Sequence, residues 1–143
     1  MDADAVRQAL ARFVGVEKAR RFIVAGLRAN GSLHYWQQDA WDQFVTANPE
    51  FADAVKLLPD VVRYCVVHDE ELLPDTIAVV HGCMDRVREY EHDLIQQFPH
   101  AAIGPWTTEG RPYEGNTVQV WYCPGCRDAY KKSRWGRPPR SSI

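Results

Sequence analysis

The sequence has no long run of apolar residues, and its longest are short segments such as Phe22–Leu27 and Ile77–Val80. A helix that spans a bilayer needs about 20 apolar residues in succession. The first ten residues, MDADAVRQAL, are acidic and helical in pattern, which is the wrong chemistry for a secretion signal. These absences predict a chain with no membrane partner and a cytoplasmic location.

Recognisable catalytic signatures are also missing. The sequence contains no nucleophile elbow, no phosphate-binding loop and no HExxH motif. It has no internal repeat, and its length of 143 residues fits one domain, with or without a small helical appendage. A non-enzymatic binding module is therefore favoured. The alternative is an enzyme, hydrolase or nuclease-like, whose active site the sequence does not reveal.

Cysteine is scarce, with four residues in all, and no export signal accompanies them, which argues against a disulfide framework. Cys65 and His68 are separated by two residues, and so are Cys123 and Cys126. This spacing lets a tight turn direct both side chains at one ion. Together the two pairs predict one structural Cys3His zinc site per chain. Four protein ligands close the coordination shell, so hydrolysis at this metal is disfavoured.

Other interpretations of these residues stay open. Cys65 could be a core cysteine and His68 a surface turn residue, which would leave CPGC alone. His81 or Cys83, in VVHGCMD, could join the metal site or replace His68. A CxxC between a strand and a helix also suits thiol-disulfide exchange. That reading is the less favoured, because in thioredoxin-type folds most of the sheet follows the motif.

The pattern of apolar residues predicts an α+β fold. Residues 1–58 have helical spacing, and Pro59-Asp60 breaks it. Predicted strands are Val61–Val67, Thr76–Val80 and Thr117–Tyr122, and a short helix follows at Arg127–Ser133. A helix is predicted within residues 84–98, with its buried side formed by Val87, Tyr90, Leu94, Ile95 and Phe98. The expected architecture is a helical region, 1–58, packed as one unit on a zinc-stabilised hairpin region, 59–134.

The two half-sites resemble those of a treble-clef zinc domain. In that fold a knuckle and a hairpin precede a CPxC pair that opens a helix, and here residues 81–98 would be an insertion. The CxxH and CPGCR halves are also similar to those of small bacterial zinc proteins whose function is not known. The resemblance covers roughly residues 61–133. It implies zinc at Cys65, His68, Cys123 and Cys126, and it implies no particular activity.

Charge is concentrated at the C-terminal end. Residues 127–143 contain six basic residues against Asp128 alone, although the whole chain has a net charge of −2. Such a segment suits phosphate contact, with aromatic residues interleaved for base stacking. Nucleic acid or protein is therefore the expected partner, and residues 135–143 are expected to be a basic, mobile tail. The candidate contact residues are Arg127, Lys131, Lys132, Arg134 and Arg137.

Overall fold

The computed structural model describes residues 1–136, so the predicted tail beyond Gly136, with Arg137, lies outside the described residues. The chain divides into two compact units, Met1–Val66 and a second unit that begins at Val67. Helices make up most of the first unit and a three-stranded sheet lies in the second, which confirms the α+β class. Among the described helices, none has the length and apolar character needed to cross a membrane.

The first unit is built from a run of helices. In chain order these are α1 (Ala3–Val14), α2 (Val16–Ala25), α3 (Tyr35–Ala47), a 3-10 helix (Pro49–Leu57) and α4 (Leu58–Val62), followed by the short strand β1 (Tyr64–Cys65). Asp2 caps α1 by accepting a hydrogen bond from Ala5 N at 2.9 Å. The core is apolar and contains the fully buried side chains Val6, Leu10, Phe22, Phe44 and Val61.

The predicted strand Val61–Val67 is wrong for its first residues, because α4 runs through Pro59 to Val62. Proline in the first turn of a helix removes no internal hydrogen bond, so Pro59 begins this helix instead of ending one. The buried Arg7 side chain donates hydrogen bonds to carbonyls in the last turn of α4. Its Nε donates to Val61 O at 3.0 Å, and its Nη2 donates to Asp60 O at 2.7 Å. Only Tyr64–Cys65 remains as strand.

The second unit contains a three-stranded sheet in the order β4-β3-β5. Its elements are β2 (Glu70–Glu71), β3 (Leu73–Val80), α5 (Arg88–Gln96), β4 (Trp106–Thr107), β5 (Thr117–Tyr122) and α6 (Pro124–Lys132). β3 pairs antiparallel with β5 from Leu73↔Tyr122 to Ala78↔Thr117, and β4 joins it in parallel only at Val79 and Val80. The start of β3 is therefore an edge on that side, where Pro74 is tolerated.

The predicted buried side of the 84–98 helix is only partly correct. The helix starts at Arg88, and although Phe98 is buried, Val87 is 54% exposed and Ile95 is 68% exposed. The side-chain contacts of α5 come from a narrow stripe along the helix. In this stripe the Tyr90 ring stands edge-on to the rings of Tyr130 and Trp135. Trp135, the first residue of the predicted tail, also donates from Nε1 to Asp93 at 2.9 Å. These contacts hold Trp135 against α5.

Candidate metal centre

The first half-site lies on the turn between β1 and β2, which pair as a small antiparallel hairpin. Cys65 is the last residue of β1 and is fully buried, and His68 lies in the turn, half-buried. Asp69, beside it, has a φ of 52°, a left-handed conformation that short polar residues tolerate. The reversal at Asp69 places Glu70 in β2, two residues after the histidine.

The second half-site lies where β5 runs into α6. Cys123 is the N-cap residue of α6, and Pro124 occupies the first turn, where its missing N–H costs no bond. Cys126 N donates to Cys123 Sγ at 3.4 Å, and Cys123 N donates to His100 O at 2.8 Å. Both cysteines are buried in the first turn of α6.

The structure brings Cys65, His68, Cys123 and Cys126 into one cluster, whose four ligand atoms all lie within 4.8 Å of one another. His68 Nδ1 is 3.3 Å from Cys126 Sγ and 3.7 Å from Cys123 Sγ. Zinc bonds of about 2.3 Å to sulfur and 2.0–2.1 Å to nitrogen, at tetrahedral angles, would separate such atoms by about 3.6 Å. The cluster therefore has the dimensions of a four-ligand metal site, with Nδ1 as the histidine ligand atom.

Gly125, which lies between the two cysteines of the second half-site, is in contact with the histidine of the first half-site. A Cβ added at Gly125 would lie 2.8 Å from His68 Cγ and 2.9 Å from His68 Cδ2. Real Cβ atoms do not approach ring carbons this closely, so any larger residue would displace the imidazole. The glycine of CPGC thus allows the ring to lie close to the start of α6.

Glu70 is an acidic neighbour of the cluster. Its Oε2 lies 3.2 Å from Cys123 Sγ and accepts a hydrogen bond from Gly125 N at 3.1 Å. The hydrogen bond with Cys123, followed by the one from Gly125, lowers the pKa of the Glu70 carboxyl. Because Gly125 N is one of the unpaired amides at the start of α6, Glu70 acts as a cap for that helix.

The sequence assigned neither Gly125 nor Glu70 a role at the metal. In the sequence Glu70 is one of three acidic residues at 69–71, and their spacing alone does not distinguish it from its neighbours. A signal for Gly125 was present, because a glycine between two ligands often marks a close approach to the backbone. Identifying His68 as its neighbour required the tertiary structure.

His81 and Cys83 do not join the cluster. Cys83 is exposed, and His81 Nε2 lies 3.0 Å from Gly115 O. Within residues 1–136 no second group of three or more potential metal ligands occurs.

Four of the five predicted contact residues for nucleic acid lie within residues 1–136, and these four differ in their surroundings. Arg127 is used inside the fold: its Nη1 pairs with Asp75 at 2.7 Å, its Nε donates to Ala101 O at 2.8 Å, and its guanidinium lies 3.7 Å from the centre of the Tyr122 ring. Lys131, Lys132 and Arg134 are exposed. Lys132 pairs with Asp128 within the helix at 2.9 Å, and the Arg134 guanidinium lies 4.4 Å from the Trp135 ring.

Comparisons of the chain with protein-family models, with curated proteins and with solved structures returned no match. The treble-clef resemblance therefore rests on the two half-sites alone, and no family is assigned. The functional feature of the described residues is a cluster of three cysteines and one histidine in a small α+β protein.

Proposed function

We propose that the chain binds one structural zinc ion through Cys65, His68, Cys123 and Cys126. The observation that carries this proposal is the approach of the four ligand atoms to within 4.8 Å of one another. Three thiolates and one imidazole are soft and borderline ligands, which suit zinc far better than magnesium or calcium. A tetrahedral set of this kind is typical of sites that stabilise a fold.

The same ligand set disfavours chemistry at the ion. A catalytic zinc keeps one position for water, whereas four protein ligands fill a tetrahedral shell. Thiol-disulfide exchange through Cys123 and Cys126 is disfavoured for a related reason, because both sulfurs are committed to the metal. A hydrolase or nuclease would need its active site elsewhere in the chain.

Metal analysis of the purified protein tests the proposal. We expect one zinc per chain, and we expect Cys123→Ser to lose both the metal and much of the thermal stability. Cys83→Ser is the matched control, because this cysteine is exposed and outside the cluster. A Cys123→Ser protein that keeps its zinc and its melting temperature would contradict the assignment of the ligands.

We further propose that the protein is a non-enzymatic binding module whose partner at the end of the chain is nucleic acid. Exposed Lys131 and Arg134, together with the partly paired Lys132, support phosphate contact, and the Arg134–Trp135 pair offers a platform for stacking. Arg137 belongs to this proposal from the sequence alone. Arg127 is excluded from it because its guanidinium is engaged by Asp75, Ala101 and Tyr122.

Titration of a labelled single-stranded oligonucleotide at several salt concentrations tests this second proposal. Affinity should fall steeply with salt, and Lys131→Ala combined with Arg134→Ala should reduce the slope of log K against log salt by about 1.4, since each lost phosphate contact contributes about 0.7. Arg111→Ala removes an exposed cation outside the segment and should leave the slope unchanged. Absent or salt-insensitive binding would contradict a nucleic-acid partner, and a protein partner would then be the remaining candidate.

A further inference from the structure

A second surface of the molecule, in residues 1–66, belongs neither to the metal centre nor to the basic segment. It is a groove of about 750 Å³ between α2 and α3. Leu10, Val14 and Phe22 form an apolar floor, and Leu10 and Phe22 are almost fully buried. A volume of this size lies within the usual range for ligand and anchor pockets.

The α3 side of the groove is formed by residues at helical spacing. Trp36, Asp39, Ala40 and Gln43 occupy positions i, i+3, i+4 and i+7 of α3 and therefore share one face of the helix. Trp36 stands edge-on to Phe22, with ring centres 6.4 Å apart, and remains 48% exposed. Across the groove, Val24 of α2 is 60% exposed. Large apolar side chains on both sides are typical of a helix-binding groove.

Positive charge lines the α2 side. Residues 12–28 contain five basic residues against Glu17 alone, and three of these five, Lys18, Arg20 and Arg21, border the groove. Within the described part of the chain none of the three forms an ion pair. A partner that carried carboxylates along one edge would compensate these cations and would be steered to them.

We propose that this groove is a docking site for an acidic amphipathic helix of a partner protein. Its apolar stripe would cover Val24 and Trp36, and its carboxylates would face Lys18, Arg20 and Arg21. A ten-residue helix such as α2 is about 15 Å long, which corresponds to nearly three turns of a partner helix. The proposal does not depend on the metal, because all the residues that line the groove belong to residues 1–66.

Other anionic partners fit the groove less well. Nucleic acid can stack its bases on an aromatic ring, but it has no aliphatic stripe to fill a groove lined by Leu10, Val14 and Val24. A lipid bilayer is flat on this scale, whereas this surface is a groove of about 750 Å³. A convex partner with its own apolar stripe satisfies both the shape and the charge.

The proposal is tested on the full chain with a synthetic probe. The probe is a labelled, end-capped peptide with leucine at i, i+3, i+4 and i+7, a central phenylalanine, and glutamate at the other positions. A matched peptide has lysine in place of each glutamate. We expect the acidic peptide to bind in a fluorescence anisotropy titration, and we expect the basic peptide not to bind.

Variants of the chain locate the binding. Arg20→Glu with Arg21→Glu should weaken binding of the acidic peptide at least about tenfold, a loss of about 1.4 kcal/mol. Ala40→Trp should block it by filling the groove. Arg28→Glu reverses an exposed charge that does not line the groove and should retain the affinity. Circular dichroism of each variant verifies the fold.

Several results would overturn the inference. These are no binding of the acidic peptide, equal binding of the basic one, or binding that neither variant weakens. A single-stranded oligonucleotide or vesicles of phosphatidylserine and phosphatidylcholine that bind through Arg20 and Arg21, while the acidic peptide does not, would identify a different partner. Zinc content stays unchanged in all these variants, so failure here is separable from failure of the metal proposal.

Discussion

At the residue scale, the second half-site shows why a metal-binding turn contains the particular residues between its ligands. Pro124 fits the first turn of α6, where no amide is needed. Gly125 provides room for the His68 ring, since a Cβ at that position would lie 2.8 Å from His68 Cγ. The two residues between Cys123 and Cys126 thus serve the helix and the histidine respectively.

Replacement of Gly125 by alanine should weaken metal binding without weakening α6. Alanine favours a helix more than glycine does, whereas its Cβ would displace His68. We expect zinc affinity to fall about 10- to 100-fold, as for other residues that orient a ligand. Competition with a chromophoric chelator measures this. Ala129→Gly, in the same helix, lowers helix propensity without approaching His68 and should keep the wild-type affinity. Unchanged affinity in Gly125→Ala would contradict the steric argument.

Glu70 gives a second prediction at this scale. Glu70→Ala removes the acceptor of the Gly125 amide and the neighbour of Cys123, so both the melting temperature and the zinc affinity should fall. Glu70→Gln keeps an oxygen that can accept from Gly125 N and should retain most of the melting temperature. Thermal unfolding at fixed free zinc compares the three proteins. If Glu70→Gln and Glu70→Ala are equally destabilised, the capping role is wrong.

At the scale of elements, the strand β5 could be predicted to the residue, because a run rich in β-branched and aromatic residues ends directly at the metal ligands. The segment around Pro59 could not be predicted, since proline is compatible with both a helix start and a break. The choice depends on Arg7, which contacts Val61 O and Asp60 O from 53 or more residues away in the chain. Likewise, helical spacing in residues 84–98 showed which residues share a face but not how narrow the packed stripe is.

The stripe between α5 and α6 leads to a prediction about alkaline pH. Burial, followed by the hydrogen bond with Tyr90, raises the pKa of Tyr130 to about 12. A tyrosine in the unfolded chain ionises at about pH 10. The folded state therefore binds this proton more tightly, so its contribution to stability is complete below pH 10 and is lost between about pH 10 and 12.

Denaturant unfolding across this pH range tests the effect. The free energy of unfolding of the wild type should fall above about pH 10, and the part of this fall that ionisation of Tyr130 causes should be absent in Tyr130→Phe. An absorbance titration at the tyrosinate band should show one late-ionising tyrosine in the wild type that the variant lacks. Identical stability profiles for the two proteins would contradict a half-buried Tyr130 with a raised pKa.

At the scale of the whole molecule, the α+β class and the grouping of four metal ligands could be predicted from the sequence. The ligands come in two pairs, each with two residues between its members, and predicted strands end at or beside these pairs. Both features can be recognised within short segments of the sequence. The groove between α2 and α3 could not, because its floor combines Leu10 and Val14 with Phe22, which lies in a different helix. The pairing of Arg127 with Asp75 could not be predicted either. A basic residue in such a segment is as compatible with a solvent-exposed charge as with an ion pair inside the fold.

Removal of the metal should affect the two units differently. Zinc-finger peptides gain about 10–16 kcal/mol from the ion, so chelation should lower the stability of the segment from Val67 onward. The core of Val6, Leu10, Phe22 and Phe44 consists of residues 1–66 and should stay folded. Hydrogen exchange with and without a chelator measures this. We expect amides of β5 and α6 to lose protection and those of α1 to keep it. Uniform loss across the chain, or no loss anywhere, would contradict this expectation.

The separation of the two half-sites also affects synthesis of the chain. Between His68 and Cys123 lie 54 residues, so the first two ligands leave the ribosome well before the last two. At about 5–20 residues per second, this delay is on the order of 3–10 seconds. During that interval a nascent chain presents only half of a coordination shell. Tight metal capture must therefore follow translation of Cys126, and a chain truncated before this residue would emerge unable to retain the ion.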